Sequence, residues 1–155
     1  MAFALLTPDS PSFCLTYTSP TPPSYRYDYY WQSRDSALLI RGGANYAYDQ
    51  VNDELKGFVT TTYSLADGDI DVAVVGMRIN SEHEDSCCVS IELLTPAAQA
   101  KQSQIASSFV KLATSRVSKG AKPDRVRFGP LPRNFKGTIK LPDLKEIWAK
   151  EMGNL

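Results

Sequence analysis

The sequence RDSALLIRGGAN, residues 34–45, predicts three successive elements of the fold expected for this chain. Its apolar run from Leu38 to Ile40 predicts a short β-strand, and Gly42-Gly43 predicts where that strand ends, because a backbone without side chains permits a turn or the close approach of a ligand. Asn45 is a helix-capping residue type. The apolar residues that follow recur at helical spacing along one face: Tyr48, Val51, Leu55, Phe58 and Val59. We therefore predict a strand, a glycine turn and a helix capped by Asn45.

The segments that follow residue 45 predict a small sheet and two more helices. Residues 70–76 and 87–94 are rich in valine and isoleucine and predict strands, and residues 125–128 predict a third. Thr95-Pro96 predicts the start of a helix that Gly120 ends, and Pro142 the start of a last helix. The buried stripes of these helices are expected to be Ile105, Phe109, Leu112 and Ala113 in one, and Leu144, Ile147, Trp148 and Met152 in the other. The expected fold class is α+β, a small three-stranded sheet flanked by helices, preceded by a short hairpin and an extended N-terminal arm.

Composition is typical of a globular protein with one core. The chain has 155 residues, of which 43% are apolar, so one domain with a tail is expected. No stretch approaches the ~20 apolar residues that span a bilayer, and the first residues do not have the pattern of a secretion signal. The cysteines are odd in number, and Cys87 and Cys88 are adjacent, which predicts neither a disulfide framework nor a metal site. We expect a soluble protein of a reducing intracellular compartment, with the organelle left open.

Charge is unevenly distributed along the chain, although its net value is zero. Residues 1–100 contain 5 Lys or Arg and 13 Asp or Glu, whereas residues 101–155 contain 12 and 4, so the two parts carry −8 and +8. This asymmetry is typical either of a face for anionic ligands such as nucleotide phosphates, CoA or an acidic partner, or of ordinary surface whose parts attract each other. No basic run is interleaved with aromatic residues, which argues against nucleic acid as a partner.

The first 31 residues form a separate segment. They contain half of the prolines and no apolar periodicity, which predicts an extended arm over residues 1–31 and a domain over residues 32–155. Aromatic residues alternate at the end of this segment, so Tyr25, Tyr27, Tyr29 and Trp31 would share one face of an extended chain. Two interpretations stay open, an arm that docks on a partner through these four residues and an edge strand that packs on its own domain.

Two motifs in this order resemble the small C-terminal domain of the adenylate-forming enzymes, which include the acyl-CoA synthetases. The first is residues 34–45, and the second is LPRNFKGTIK at residues 131–140. Between them, residues 72–76 resemble the family's Ala-Ala-Val-Val-Gly strand. Glu84 stands where a Gly-Glu pair usually closes the following loop, and His83, which replaces the glycine, is expected to be an exposed loop residue. The resemblance covers residues 33–140.

This resemblance implies roles for individual residues. Arg34 would lie near the nucleotide ribose, Ser36 would be the hinge between two orientations of the domain, and Gly43 and Asn45 would contact CoA. ATP or AMP and CoA would then be ligands, with no cofactor intrinsic to the chain.

One position departs from the family pattern. The family usually has a lysine directly after the glycine of the second motif, where it stabilises the transition state of adenylation, and this chain has Thr138. Loss of such a preorganised group typically slows a reaction roughly 10²–10³-fold. Lys136 and Lys140 are candidates to replace it, because residues 136, 138 and 140 of an extended loop project to one side. The alternative is a solvated basic loop without chemistry.

Two functions follow from the resemblance. One is a detached lid-type domain of an acyl-CoA synthetase-like enzyme, part of an acid-thiol ligase that acts only with a separate or missing large adenylate-forming domain. The other is a catalytically degenerate domain, retained as a structural subunit of a multi-protein assembly and docked through its N-terminal arm. Free CoA or nucleotide sensing has no motif of its own, and the acyl substrate and the partner stay open.

Overall fold

The computed structural model describes the backbone of residues 12–17 and 27–33 and the full chain from residue 37 to residue 153. The chain divides into two compact units, Met1–Leu38 and Leu39–Leu155. In the first unit, β1 (Ser12–Tyr17) and β2 (Tyr27–Ser33) pair as an antiparallel hairpin. Both strands lie largely in the segment that the sequence predicts to be an extended arm.

The second unit contains the sheet and all the helices of the described residues. Its elements are β3 (Leu38–Arg41, of which Leu38 closes the first unit), β4 (Ala44–Ala47), α1 (Tyr48–Tyr63), β5 (Ile70–Met77), β6 (Ser86–Leu93), α2 (Pro96–Ala100), α3 (Gln102–Arg116), β7 (Arg125–Phe128) and α4 (Leu141–Gly153). Strands β3 and β4 form a short hairpin, and β5, β6 and β7 form a three-stranded sheet in that order. Strand β6 is antiparallel to β5 and parallel to β7. The predicted α+β class is confirmed.

The core lies on both faces of this sheet. Every residue of β6 from Ser86 to Ile91 is buried, which requires cover on both sides because successive side chains point to opposite faces. Helix α4 covers the face that carries Ser90, since Trp148 Nε1 donates a buried hydrogen bond to Ser90 Oγ at 3.0 Å. Helices α1 and α3 pack together through Phe58 and Phe109, whose ring centroids lie 6.1 Å apart. Most residues of the apolar stripes predicted from helical spacing are buried; Phe58, Leu112, Ile147 and Met152 are half-buried.

Helix α1 also closes the outer edge of β5. Gly76 N donates to Tyr48 Oη at 2.7 Å, and Val74 N donates to Asn52 Oδ1 at 2.8 Å. Tyr48 and Asn52 are four residues apart and so lie on one face of the helix, opposite two N–H groups that project from the same edge of the strand. Unpaired edge groups are a template for aggregation, and these two have acceptors within the chain.

Three sequence-based expectations are corrected. The helix after the glycine turn begins at Tyr48, because residues 44–47 pair with β3 as a strand; Asn45 lies in that strand and does not cap the helix. The helix expected to start at Thr95-Pro96 is divided at Lys101 into α2 and α3. Gly120 does not end α3, which stops at Arg116; a Cβ on Gly120 would lie 2.3 Å from the Tyr46 ring, so close packing explains the glycine.

No helix in the described part of the chain is long and apolar enough to cross a membrane.

Candidate functional site

Two loops of the second unit contain most of the described residues that the sequence assigns to ligands. The first is the turn between β3 and β4, where Gly42 and Gly43 have φ of 56° and 76°. This left-handed conformation favours glycine at both positions. A Cβ at Gly42 would lie 2.9 Å from Lys119 Nζ, whereas a Cβ at Gly43 would meet no atom within 4 Å. Gly43 therefore presents open backbone, which is compatible with the CoA contact that the resemblance implies.

Acidic residues before β6 hold this turn in place. Gly42 N donates to Glu84 Oε1 at 3.1 Å, and Ile40 N donates to Asp85 Oδ2 at 2.9 Å. Asp85 N in turn donates to the Ile40 carbonyl at 2.8 Å. Gly76 leaves room for this contact, since a Cβ there would lie 2.8 Å from Asp85 Oδ2. The sequence indicates Glu84 by its place in the loop, but gives no sign that its carboxylate binds the glycine turn.

The other side of the turn is basic and is tied to the start of β7. Arg41 forms an ion pair with Asp124 at 3.3 Å and donates to the Lys122 carbonyl oxygen. Asp124 also accepts a hydrogen bond from Cys87 N at 2.7 Å. Lys119 lies beside Gly42, so cations of the basic C-terminal third meet the acidic part of the chain at this turn. Asn45 lies on β4 with an exposed side chain.

The second loop, residues 131–140, is a tight turn. Arg133 and Ile139 form an antiparallel bridge, Asn134 N donates to the Thr138 carbonyl at 2.9 Å, and Gly137 N donates to the Asn134 carbonyl at 2.9 Å. The Asn134 side chain closes the turn, because its Oδ1 accepts hydrogen bonds from the backbone N–H groups of residues 136 and 138 at 2.9 and 3.0 Å. The expectation of an extended segment over residues 136–140 is therefore wrong.

Arg133 fastens this turn to the sheet. Its NH2 donates to Asp71 Oδ2 at 2.6 Å and to Glu92 Oε2 at 2.9 Å, and its NH1 donates to the Gly137 carbonyl at 3.3 Å. The hydrogen bonds to Glu92 and then to Asp71 raise the pKa of the Arg133 guanidinium above its ordinary value. One side chain thus joins the ends of β5 and β6 to the turn.

The two candidate lysines of this loop differ in their surroundings. Lys140 forms an ion pair with Asp143 in the first turn of α4. Lys136 has no carboxylate partner among the described residues, and its Nζ lies 5.5 Å from the centroid of the Phe135 ring. Thr138, at the usual lysine position, is exposed and its backbone belongs to the turn.

Phe135 is a feature of this loop that sequence reasoning missed. Its side chain is 95% exposed at the tip of the turn, whereas the next most exposed large apolar residue of the described chain, Leu94, is 49% exposed. A single phenylalanine in a polar loop carries no sequence signal of its exposure. The surrounding turn could have been predicted from Asn134, because an asparagine side chain can accept a hydrogen bond from the backbone two residues on.

Several predicted residues lie outside the part that the structure describes. These are Arg34, predicted to contact the nucleotide, Ser36, predicted to be the hinge, and Tyr25 of the predicted docking face. The other three residues of that face, Tyr27, Tyr29 and Trp31, lie in β2, but the structure describes only their backbone. Their roles stay predictions.

His83 and the paired cysteines have contrasting environments. His83 is exposed in the loop before β6, as predicted. Cys87 and Cys88 are free and fully buried, and this burial raises the pKa of each thiol to about 12. Both thiols are therefore protonated and unreactive at neutral pH.

Known structures share the fold just described. A fatty acyl CoA synthetase from Mycobacterium tuberculosis matches with a TM-score of 0.57 at 20% identity, over 81% of this chain and 22% of that chain. The fold is that of one part of acyl-CoA synthetases. ATP-bound MatB from Rhodopseudomonas palustris matches with a TM-score of 0.56 at 20% identity, over 79% of this chain and 22% of that one. The amide bond synthetase McbA from Marinactinospora thermotolerans matches with a TM-score of 0.53 at 15% identity, over 85% of this chain and 23% of that one.

The resemblance to the C-terminal domain of adenylate-forming enzymes is thus confirmed at the level of the fold. This chain spans about a fifth of the length of each of these three proteins. No protein-family model and no curated protein matches its sequence.

Proposed function

We propose that the chain is a detached lid-type domain of an acyl-CoA synthetase-like enzyme, which contributes contacts to nucleotide and CoA only together with a large adenylate-forming domain. The shared fold carries this proposal, because 81% of this chain corresponds to only 22% of a fatty acyl CoA synthetase. The ATP-binding and acyl-binding parts of such an enzyme would then come from a second polypeptide, or from residues beyond this sequence.

Two surfaces would make the contacts. At the β3–β4 turn, Gly43 presents open backbone, and the Lys119 ammonium lies beside the preceding residue, Gly42. Together they offer an approach for the pantetheine and phosphate parts of CoA. In the second loop, Lys136 is the better candidate for the α-phosphate. Its ammonium is free of carboxylates in the described residues, whereas Lys140 is neutralised by Asp143. A free ammonium held near developing negative charge is what adenylation requires at this point.

Reconstitution with the large domain tests these assignments. Acyl-adenylate formation should require this chain, and Lys136→Ala should lower its rate roughly 10²-fold because a charge-stabilising group is removed. Lys140→Ala should have a smaller effect. Lys150→Ala, which removes an exposed ammonium from the far end of α4, is the matched control. Equal rates with and without this chain would contradict the function, while equal rates for the Lys136 and Lys150 variants would contradict only the role of Lys136.

Direct binding is a second measurement. Calorimetric titration of the large domain with CoA and with ATP should show binding that tightens when this chain is added, because the chain contributes its contacts only together with that domain. Micromolar binding to the purified chain alone would show that its basic surface is a working site by itself. For CoA, Gly43→Ala should weaken binding, because alanine is strained at φ of 76°.

A second candidate function is a structural subunit of a multi-protein assembly, and the residue at position 138 favours it. Threonine there leaves no ammonium at the usual catalytic position. In that case the chain would dock through its N-terminal arm, and deletion of residues 1–31 should prevent assembly. The lid function predicts that the same deletion leaves adenylate formation intact.

A further inference from the structure

The 131–140 loop has a fixed backbone but carries its free ammonium on a flexible side chain. Asn134 closes the turn and Arg133 fastens it to the sheet, so the backbone of residue 136 is held in place. The side chain of Lys136 is exposed, and a lysine has a flexible four-carbon stem. An ammonium that stabilises a transition state acts best when it is already in position, because ordering it during the reaction costs conformational entropy. The fixed backbone alone does not provide this order.

The ring of Phe135 makes a contact that does order the ammonium. Lys136 Nζ lies over this ring at 5.5 Å from its centroid, within the ~6 Å range of cation–π attraction. Phe135 is 95% exposed, so the ring has almost no other contact in the described part of the chain. Hydrophobic burial therefore gives no reason for a phenyl ring at the tip of a polar turn, whereas its contact with the ammonium does.

The turn also brings position 136 close to position 138, where the family usually has its lysine. The backbone N–H groups of Lys136 and Thr138 donate to the same atom, Asn134 Oδ1, at 2.9 and 3.0 Å. The two residues therefore start from neighbouring points, and the long side chain of Lys136 can reach the space that a lysine at position 138 would occupy. Thr138 is shorter and carries no charge. An ordered ammonium on residue 136 can thus take over the role of the missing one.

We propose that Phe135 is a positioning residue, whose ring holds the Lys136 ammonium at the point where adenylation places negative charge on the α-phosphate. This role rests on the proposed lid function, and it explains the exposed ring. Phe135 acts through Lys136 and does not itself contact the substrate. Because the attraction is between the ammonium and the face of the ring, it requires an aromatic residue and not merely an apolar one.

Two variants of Phe135 separate the aromatic face from the apolar surface. Phe135→Leu keeps an apolar side chain without a ring. In the enzyme reconstituted with the large domain, it should lower kcat of acyl-adenylate formation roughly 2- to 30-fold, the larger value if closure of the lid excludes water, with KM for ATP unchanged. Phe135→Tyr keeps the ring and should rescue most of this loss. Unchanged circular dichroism and denaturation midpoints establish that both variants fold.

The double variant with Lys136→Ala tests whether the ring acts through the ammonium. If it does, Phe135→Leu should cause no further loss of rate in a chain that already lacks Lys136. The concentration of this chain that gives half the maximal rate should also be the same for Phe135→Leu and the unchanged chain. An equal loss of rate in both backgrounds, or a higher half-maximal concentration for Phe135→Leu, overturns the proposal and identifies Phe135 as a direct contact of the large domain.

Nuclear magnetic resonance of the free full chain tests the geometry without the large domain. The ring current of residue 135 should shift the ε-methylene protons of Lys136 upfield in the unchanged chain and in Phe135→Tyr, but not in Phe135→Leu. Equal chemical shifts in all three chains overturn the proposal. If the upfield shift is present but adenylate formation does not depend on this chain, the lid function fails and the role of Phe135 fails with it. If adenylate formation requires Lys136 but is the same in Phe135→Leu, the positioning role alone fails.

Discussion

At the scale of single residues, Cys87 and Cys88 are the groups whose titration folding changes most. Burial raises the pKa of each thiol from 9.0 to about 12. The folded pKa lies above the unfolded one, so the stability linked to these thiols is fully present below pH 9 and is lost as the pH rises towards 12. Above pH 9 the free energy of unfolding should fall by up to about 1.4 kcal/mol per pH unit and thiol. Urea unfolding at neutral and alkaline pH measures this slope, and Cys87→Ala with Cys88→Ala should flatten it. Equal slopes for the double variant and the unchanged chain would contradict the prediction.

Arg133 allows a second prediction at this scale. Its ion pairs with Asp71 and Glu92 are partly exposed, so Arg133→Ala should lower the free energy of unfolding by only about 1 kcal/mol. The turn, however, loses its fastening to the sheet, and the amides of Gly137 and Thr138 should exchange hydrogen faster than those of β6. Hydrogen exchange with mass spectrometry measures this difference. Lys56→Ala removes another ion pair to Asp71 and should leave the turn unchanged. A uniform increase in exchange over the whole sheet would show that Arg133 stabilises the fold rather than the turn.

At the scale of elements, the edge of β5 is sealed by side chains of α1. Tyr48→Phe removes the acceptor of the Gly76 N–H while keeping the buried ring, so the free energy of unfolding should fall by about 1–3 kcal/mol. Asn52→Ala does the same to the Val74 N–H and should have a comparable or smaller effect, because that site is only partly buried. Gln50→Ala, an exposed change on the same helix, is the control. Chemical denaturation measures the free energy of unfolding of each variant. If neither variant is less stable than the unchanged chain, other groups accept hydrogen bonds from the N–H groups at this edge.

The same elements show how far the sequence predicts the fold. Strands β5, β6 and β7 were predicted to within one residue. The first two are rich in valine and isoleucine, and in β7 arginine alternates with the apolar Val126 and Phe128. Strand β4 was missed, since Ala44–Ala47 has no such run and is a strand only because the glycine turn folds it back on β3. The division at Lys101 was missed for a similar reason. Its Nζ donates to the carbonyl oxygens of Tyr63 and Ser64 at the end of α1, and tertiary contacts of this kind have no local pattern.

In the candidate site, too, local patterns were predicted and contacts between distant residues were not. The glycine turn was located by Gly42-Gly43, whose backbone permits a turn, and the 131–140 loop by its resemblance to the second family motif. Their closing contacts were not located, because Glu84 is 42 residues from Gly42, and Asp71 is 62 residues from Arg133. Which of two lysines is free also depended on a neighbour, Asp143, that only the turn and the start of α4 bring to Lys140.

At the scale of the whole molecule, the division into two units leads to the last prediction. The described core of the unit Leu39–Leu155 extends from Leu39 to Trp148. A chain that starts at Ala37 keeps all of this core and both strands of the β3–β4 hairpin, so it should unfold in one cooperative transition, with a midpoint near that of the full chain. Denaturation followed by circular dichroism measures this. A broad transition or a large drop in midpoint would show that residues before Ala37 stabilise the second unit. A stable truncated chain also supports the interpretation of the shorter deletion of residues 1–31, because a loss of assembly in that variant then reflects a lost contact of the arm and not an unfolded domain.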